Sequence, residues 1–197
     1  SGIRNVVDDS SLAKDINFGF GYWSDNNGFT NAAVSGWVGS VETGRSLPTS
    51  DRNGILAAIS QSGKDKIIKS IDNIFASDES NPITFANLAK DYYSYTGLDV
   101  NGTKVCPLDI TITCQKNYVI VIGDGDFDST AIETEAAKNT IQQLAANDII
   151  TVMIGYGPGL SPAGKVIFNE FAEVGDPNKT LSNGATPQAI FAKTEQS

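Results

Sequence analysis

Two short runs constrain this chain more than anything else in it. Residues 117–123, NYVIVIG, and 149–155, IITVMIG, are almost wholly apolar. Runs this short and this rich in β-branched residues read as strands with both faces covered. Between them lies STAIETEAAKNTIQQLAAN, a long helical pattern with Ile132, Ala136, Ile141, Leu144 and Ala145 inward and Ser129 as its cap. Beyond the second strand, SPAGKVIFNEFAEVG predicts another helix and KTLS a short strand. TPQAIFAK then reads as a last helix opened by Thr186 and Pro187. Dry strands alternating with helices predict an α/β chain with a Rossmann-like, doubly wound, mostly parallel sheet. Ligands of such sheets bind beyond the carboxyl ends of the strands.

The first half is less regular. INFGFGYW, 16–23, reads as an aromatic strand with glycines where something packs closely. A polar, glycine-rich stretch at about 24–62 reads as a long inserted loop with short strands of its own. GKDKIIKSIDNIFAS places Ile67, Ile68, Ile71, Ile74 and Phe75 on one face of a helix. NPITFANLAKDYYSYTG predicts a second helix, with Pro82 in its first turn and Gly97 as its stop. Residues 98–116 form a loop with an Asn101-Gly102 turn. No internal repeat interrupts the pattern, so residues 1–197 read as one domain.

Composition removes several function classes. The chain has no histidine, which excludes Ser-His-Asp and Cys-His catalysis and the commonest zinc ligand sets within it. A metal here must be held by oxygens, which points to calcium, magnesium or manganese. A net charge of −9 without a basic stripe disfavours nucleic acid and suits a solvated extracellular surface or a cation. No stretch approaches the roughly 18 apolar residues of a membrane span. SGIRNVVDDSS has no signal pattern, so any targeting segment is expected to have been removed. Cys106 and Cys114 flank the start of one predicted strand. As a disulfide they would close a short loop worth roughly 2.5 kcal/mol and imply an oxidising compartment. The other reading is two reduced, unrelated thiols.

After the first dry strand comes GDGDFDST, and three readings compete for its aspartates. Asp124 could ligate a metal whose other oxygens come from other loops and water. Asp124, Asp126, Asp128 and Glu135 also match positions 1, 3, 5 and 12 of an EF-hand-like loop, but Ser129 stands where glycine belongs. In the third reading the acids form an exposed turn and favour the N-terminus of the next helix. Trp23, Asp25 and Trp37 are candidates for a binding surface, with Tyr22 and Phe29 nearby; anchoring a core or loop is the simpler role. Tyr92, Tyr93 and Tyr95 read as the end of a packed helix.

At this point the residues resemble a family. The strand ending in Gly-Asp-Gly, its helix, and DIITVMIGYG together look like the von Willebrand factor A fold. INFGFGYWSDNNGF, NPITFANLAKDYYSYTG and CQKNYVIVIGDG resemble, more narrowly, the PilC/PilY-type tip adhesins of type IV pili. The likeness covers roughly residues 3–194. It implies a metal-ion-dependent adhesion site built from Asp-x-Ser-x-Ser after a first strand, a threonine from a second loop and an aspartate from a third. Asp124 matches the third. Asn81 stands at the threonine position, with Thr84 close by. The first strand and its motif do not appear, and Asp8 to Ser11, DDSS, is wrongly placed to supply them. The expectation is therefore either a fragment without that strand or a trimmed domain with an incomplete site.

The resemblance implies a non-enzymatic adhesion and pilus-assembly module. It would be exported through the periplasm to the pilus tip and would contact minor pilins and a host or abiotic surface. Binding would occur at the carboxyl edge of the sheet, with Mg2+ or Ca2+ as the candidate cofactor. Two alternatives come from other classes: an A-domain scaffold in an intracellular metal- or ATP-dependent complex, and a hydrolase using acidic residues and metal-activated water.

Overall fold

The computed structural model describes residues 20–22, 36–38, 45–46, 55–56, 80–94, 108, 114–176 and 185–192. Contacts divide the chain into two compact units, Ser1–Glu79 with Asp91–Asp109, and Ser80–Lys90 with Ile110–Ser197. In the first, β1 (Phe20–Tyr22) pairs antiparallel with β2 (Gly36–Val38), and β3 (Arg45–Ser46) with β4 (Ile55–Leu56). Of the aromatic strand expected over 16–23, residues 20–22 form β1, and short strands follow within 24–62 as expected. Tyr92 and Tyr93 are buried there, their rings edge-on at 5.4 Å, as the end of a packed helix should be. The helix expected over 63–77 and the KTLS strand lie outside the described residues.

The second unit carries the parallel sheet. Strands β5 (Asn117–Gly125), β6 (Ile149–Gly159) and β7 (Ile190–Ala192) pair parallel in that order. Three helices accompany them: α1 (Pro82–Ser94), whose residues after Lys90 belong to the first unit, α2 (Ala131–Ala145) and α3 (Pro162–Gly175). This is an α/β unit with a three-stranded parallel sheet flanked by helices. Among the described residues, no helix is long and apolar enough to cross a membrane.

Because β5, β6 and β7 are added in one direction, their connections α2 and α3 fall on one face of the sheet. Val121, Thr151 and Met153 are buried on that face. Tyr118, Ile120 and Ile122 point the other way and are exposed, with Ile190 in the same row. The two-sided burial expected of the dry strands is therefore one-sided in β5: apolar composition reports what a strand tolerates, not what covers it.

Two helical expectations change. TPQAIFAK is not a helix; residues 185–189 are irregular and 190–192 form β7. A four-residue apolar run cannot distinguish the two by periodicity. Here Phe191 decides: it pairs with Gly155, whose missing side chain leaves room for the ring, and lies 6.4 Å from Phe168. In α2 the inward stripe is Glu133, Ala137, Thr140, Ile141, Leu144 and Ala145, whereas Ile132 is 81% exposed. The stripe is one position off at its start because Glu133, not Ile132, is drawn inward by the helix cap.

The core is aromatic. Phe127 stacks on Phe168 at 5.0 Å and meets Phe85 at 5.8 Å and Phe171 at 5.7 Å. Four phenylalanines from α1, α3 and the loop after β5 thus close one cluster, each burial worth about 1.5–3 kcal/mol. Beyond the cluster, Lys90 donates to Gln143 at 2.9 Å, tying α1 to α2. Lys138 bridges α2 to Glu170 of α3 at 3.3 Å.

Candidate functional site

The acidic loop leaves β5 at its carboxyl end with alternating exposure. Asp124, Asp126 and Asp128 are exposed, whereas Phe127 is buried. Phe127 is the anchor that a reading centred on the carboxylates overlooked. Its ring holds the loop down, so the aspartates on either side must face outward. At the root of the loop the ladder slips between Gly123 and Gly125, and Gly125 pairs with Gly159. A Cβ at Gly159 would fall on the Asp124 carbonyl oxygen, so only glycine lets the two strand ends approach this closely.

The three aspartates do different things. Asp126 accepts a hydrogen bond from the Ser161 amide at 2.8 Å through Oδ1. It therefore serves a helix N-terminus, as one sequence reading held, but that of α3 rather than of the helix that follows it. Ser161 caps the same helix, accepting from the Gly164 amide at 3.1 Å, with Pro162 at the first helical position. Asp128 donates its amide to the Ser80 carbonyl at 3.0 Å, which fastens the loop to the start of α1. Asp124 is exposed at the strand end, where the resemblance expects a ligand.

Asn81 sits where those segments meet and is buried. Its Oδ1 accepts from the Ile83 amide at 3.1 Å, capping α1, and its Nδ2 donates to Glu133 Oε1 at 2.8 Å. Thr84, half-buried in the first turn, donates its amide to the Asn81 carbonyl at 3.2 Å. Glu133 is buried, and its Oε2 accepts from the Thr130 amide and from Thr130 Oγ1 at 2.7 Å. Thr130 Oγ1 in turn accepts from the Glu133 amide, which completes a capping box. The hydrogen bonds from Thr130, aided by Asn81, hold the Glu133 carboxyl below its ordinary 4.5 although burial opposes ionisation.

Thr130, not Ser129, is thus the cap of α2; Ser129 instead shares a 3.0 Å hydroxyl contact with Thr134. Thr130 and Glu133 are the site residues that sequence reasoning missed. Their signal was legible: Thr-Ala-Ile-Glu is a Thr-x-x-Glu capping box directly before a helical pattern.

These arrangements decide what a hard cation could use. Asn81 spends its side-chain oxygen on Ile83 and its nitrogen on Glu133, Asp126 is engaged with Ser161, and both Glu133 oxygens are occupied. Among the described residues no group of three or more acidic or cysteine side chains is arranged to hold a metal ion. Thr151 Oγ1, buried without a partner, lies in the opening half of β6, away from the carboxyl edge. The described donors therefore do not compose a complete cation cage.

Of the remaining candidates, Trp37 belongs to β2 and pairs with Gly21, while Trp23 and Asp25 lie outside the described residues. Cys114 is exposed and unpaired; Cys106 lies outside the described residues. Glu135, the last residue of the EF-hand-like spacing, is in α2 and faces Lys138 at 3.6 Å. That places it in a helix surface pair.

Fold and site together define an α/β unit whose carboxyl edge is a polar, hydrogen-bonded junction of three chain segments. No family model, curated protein or solved structure matches the chain.

Proposed function

We propose that this chain is a non-enzymatic adhesion and assembly module, a von Willebrand factor A-like domain of a PilC/PilY-type pilus-tip adhesin. In this reading it is exported through the periplasm and displayed at the tip of a type IV pilus. There it contacts minor pilins and a host or abiotic surface through the carboxyl edge of the sheet. The full doubly wound sheet belongs to the same proposal, as does oxidation of the exposed Cys114 thiol, free in this structure, to a disulfide with Cys106 in the oxidising periplasm.

One observation carries it: at that edge the start of α1 meets the loop after β5 through Ser80–Asp128 and the first turn of α2 through Asn81–Glu133. The start of α1 and the loop after β5 are two of the segments from which the resemblance builds a binding face. Asp124 is the residue assigned to a divalent cation, Mg2+ or Ca2+, because Asn81, Asp126 and Glu133 are committed within the fold.

The test is attachment of pili carrying the protein, and capture of minor pilins by the purified chain, with Mg2+ or Ca2+ and with EDTA. Loss of attachment with EDTA and with Asp124→Ala supports a cation-bridged edge. Attachment unchanged in both removes the cation and leaves the adhesin. Absence of attachment and of pilin capture under every condition overturns the assignment.

A further inference from the structure

The carboxyl edge contains a buried carboxylate whose every role is internal. Glu133 Oε1 takes one donor from the α1 side, Asn81 Nδ2, and Oε2 takes two from the loop side, the Thr130 amide and hydroxyl. The adjacent Asp128–Ser80 backbone hydrogen bond joins the same two segments. Three donors on one carboxylate are enough to keep it ionised in a buried setting. It needs no positive ion beside it.

We infer that Asn81, Glu133 and Thr130 form a clasp that, with the Asp128–Ser80 bond, fixes residues 128–130 against the start of α1 without requiring a cation. The clasp is specific to a carboxylate. A glutamine at 133 has one oxygen, so its amide nitrogen must face either Asn81 Nδ2 or the Thr130 amide, donor against donor, and one side of the clasp opens. Phe127 stays in its aromatic cluster in either case, which confines the release to the exposed rim. The Asp128 carboxylate is thereby presented in one arrangement, beside an Asp124 held by the end of β5, before any partner arrives, which lowers the ordering cost of binding. This goes beyond the adhesion reading, because it concerns the edge itself and holds whatever binds there.

Amide hydrogen exchange on the full chain tests it, with no partner present, in Mg2+, in Ca2+ and in EDTA. In Glu133→Gln the Asp128 and Thr130 amides, and in Asn81→Ala the Asp128 amide, should exchange at least about tenfold faster, as expected from losing a hydrogen bond to a charged group. The Val121 and Met153 amides should keep their protection, and Thr130→Ser, which keeps the hydroxyl, should behave as the parent. The parent's loop amides should already be protected in EDTA, with no cation bound. Loop and strand amides accelerating together would show a merely structural carboxylate and overturn the clasp. A parent loop left unprotected in EDTA, and protected only once Mg2+ or Ca2+ is added, would show that a cation sets the loop and overturn it equally. If Glu133→Gln does not fold, Asn81→Ala, which leaves the α2 capping box intact, decides alone.

Discussion

Asp126 and Ser161, thirty-five positions apart, are joined by a 2.8 Å hydrogen bond from the Ser161 amide to the Asp126 carboxylate. A residue of the β5–α2 loop thereby occupies the N-terminus of α3, and the two loops of the carboxyl edge become one surface. The carboxylate also fits only because position 164 has no side chain; a Cβ at Gly164 would collide with Asp126 Oδ1.

Asp126→Ala should therefore destabilise the second unit by about 1 kcal/mol, the worth of a charged group at a helix N-terminus. Gly164→Ala in the parent should be near neutral, since the gain in helix propensity of about 1 kcal/mol is offset by expelling the carboxylate. In the Asp126→Ala background the same change should stabilise. Urea denaturation of the double-mutant cycle reads this non-additivity directly, and simple additivity would refute the contact.

Glu133 predicts a dependence on acid. Its folded-state pKa is lowered from 4.5, so its contribution is fully present above that value and is lost as pH falls through the lower folded value. Below pH 4.5 the parent should therefore lose stability that Glu133→Gln never had, and the two unfolding curves should converge. At neutral pH the variant should be less stable by about 1.5–3 kcal/mol, since hydrogen bonds to a buried charge are lost. A gap between the curves that stays constant down to pH 2 would contradict this.

Lys138 works in the other direction. The Glu170 hydrogen bond raises its pKa above 10.5, so its stabilisation is present at neutral pH and is lost as pH rises through the folded value. Both partners are partly exposed, so Lys138→Met should cost only about 0.2–1 kcal/mol, and less in high salt. Thermal melts at low and high ionic strength would show the difference shrink.

Asp148 closes the turn between α2 and β6 in the left-handed region, with φ of 59°, while its amide donates to the Ala145 carbonyl at 3.1 Å. Asp148→Gly should stabilise by about 0.5–1 kcal/mol, and Asp148→Val should destabilise by at least as much, since β-branching is disfavoured there. Chemical denaturation midpoints check both.

Much of the second unit was legible in the chain. The apolar runs of β5 and β6, the Pro82 start of α1, and the Ser161-Pro162 opening of α3 follow from rules local to a few residues, because backbone sterics and capping act at that range. The Thr130–Glu133 box was equally local.

What only the tertiary structure decided depends on contacts between segments far apart in sequence. Residues 190–192 become a strand because Ile154, Gly155 and Tyr156 offer an edge and a gap for Phe191. One face of β5 stays open because both crossover helices lie on the other. The acidic loop looked like a single feature when read along the chain, but its residues face different neighbours. Asp126 binds the start of α3, Phe127 enters the core, Asp128 holds α1 through its backbone amide, and the Asp124 and Asp128 carboxylates stay exposed at the rim. Alternation in sequence states only that such a division is available; the partners that use it are brought by the fold.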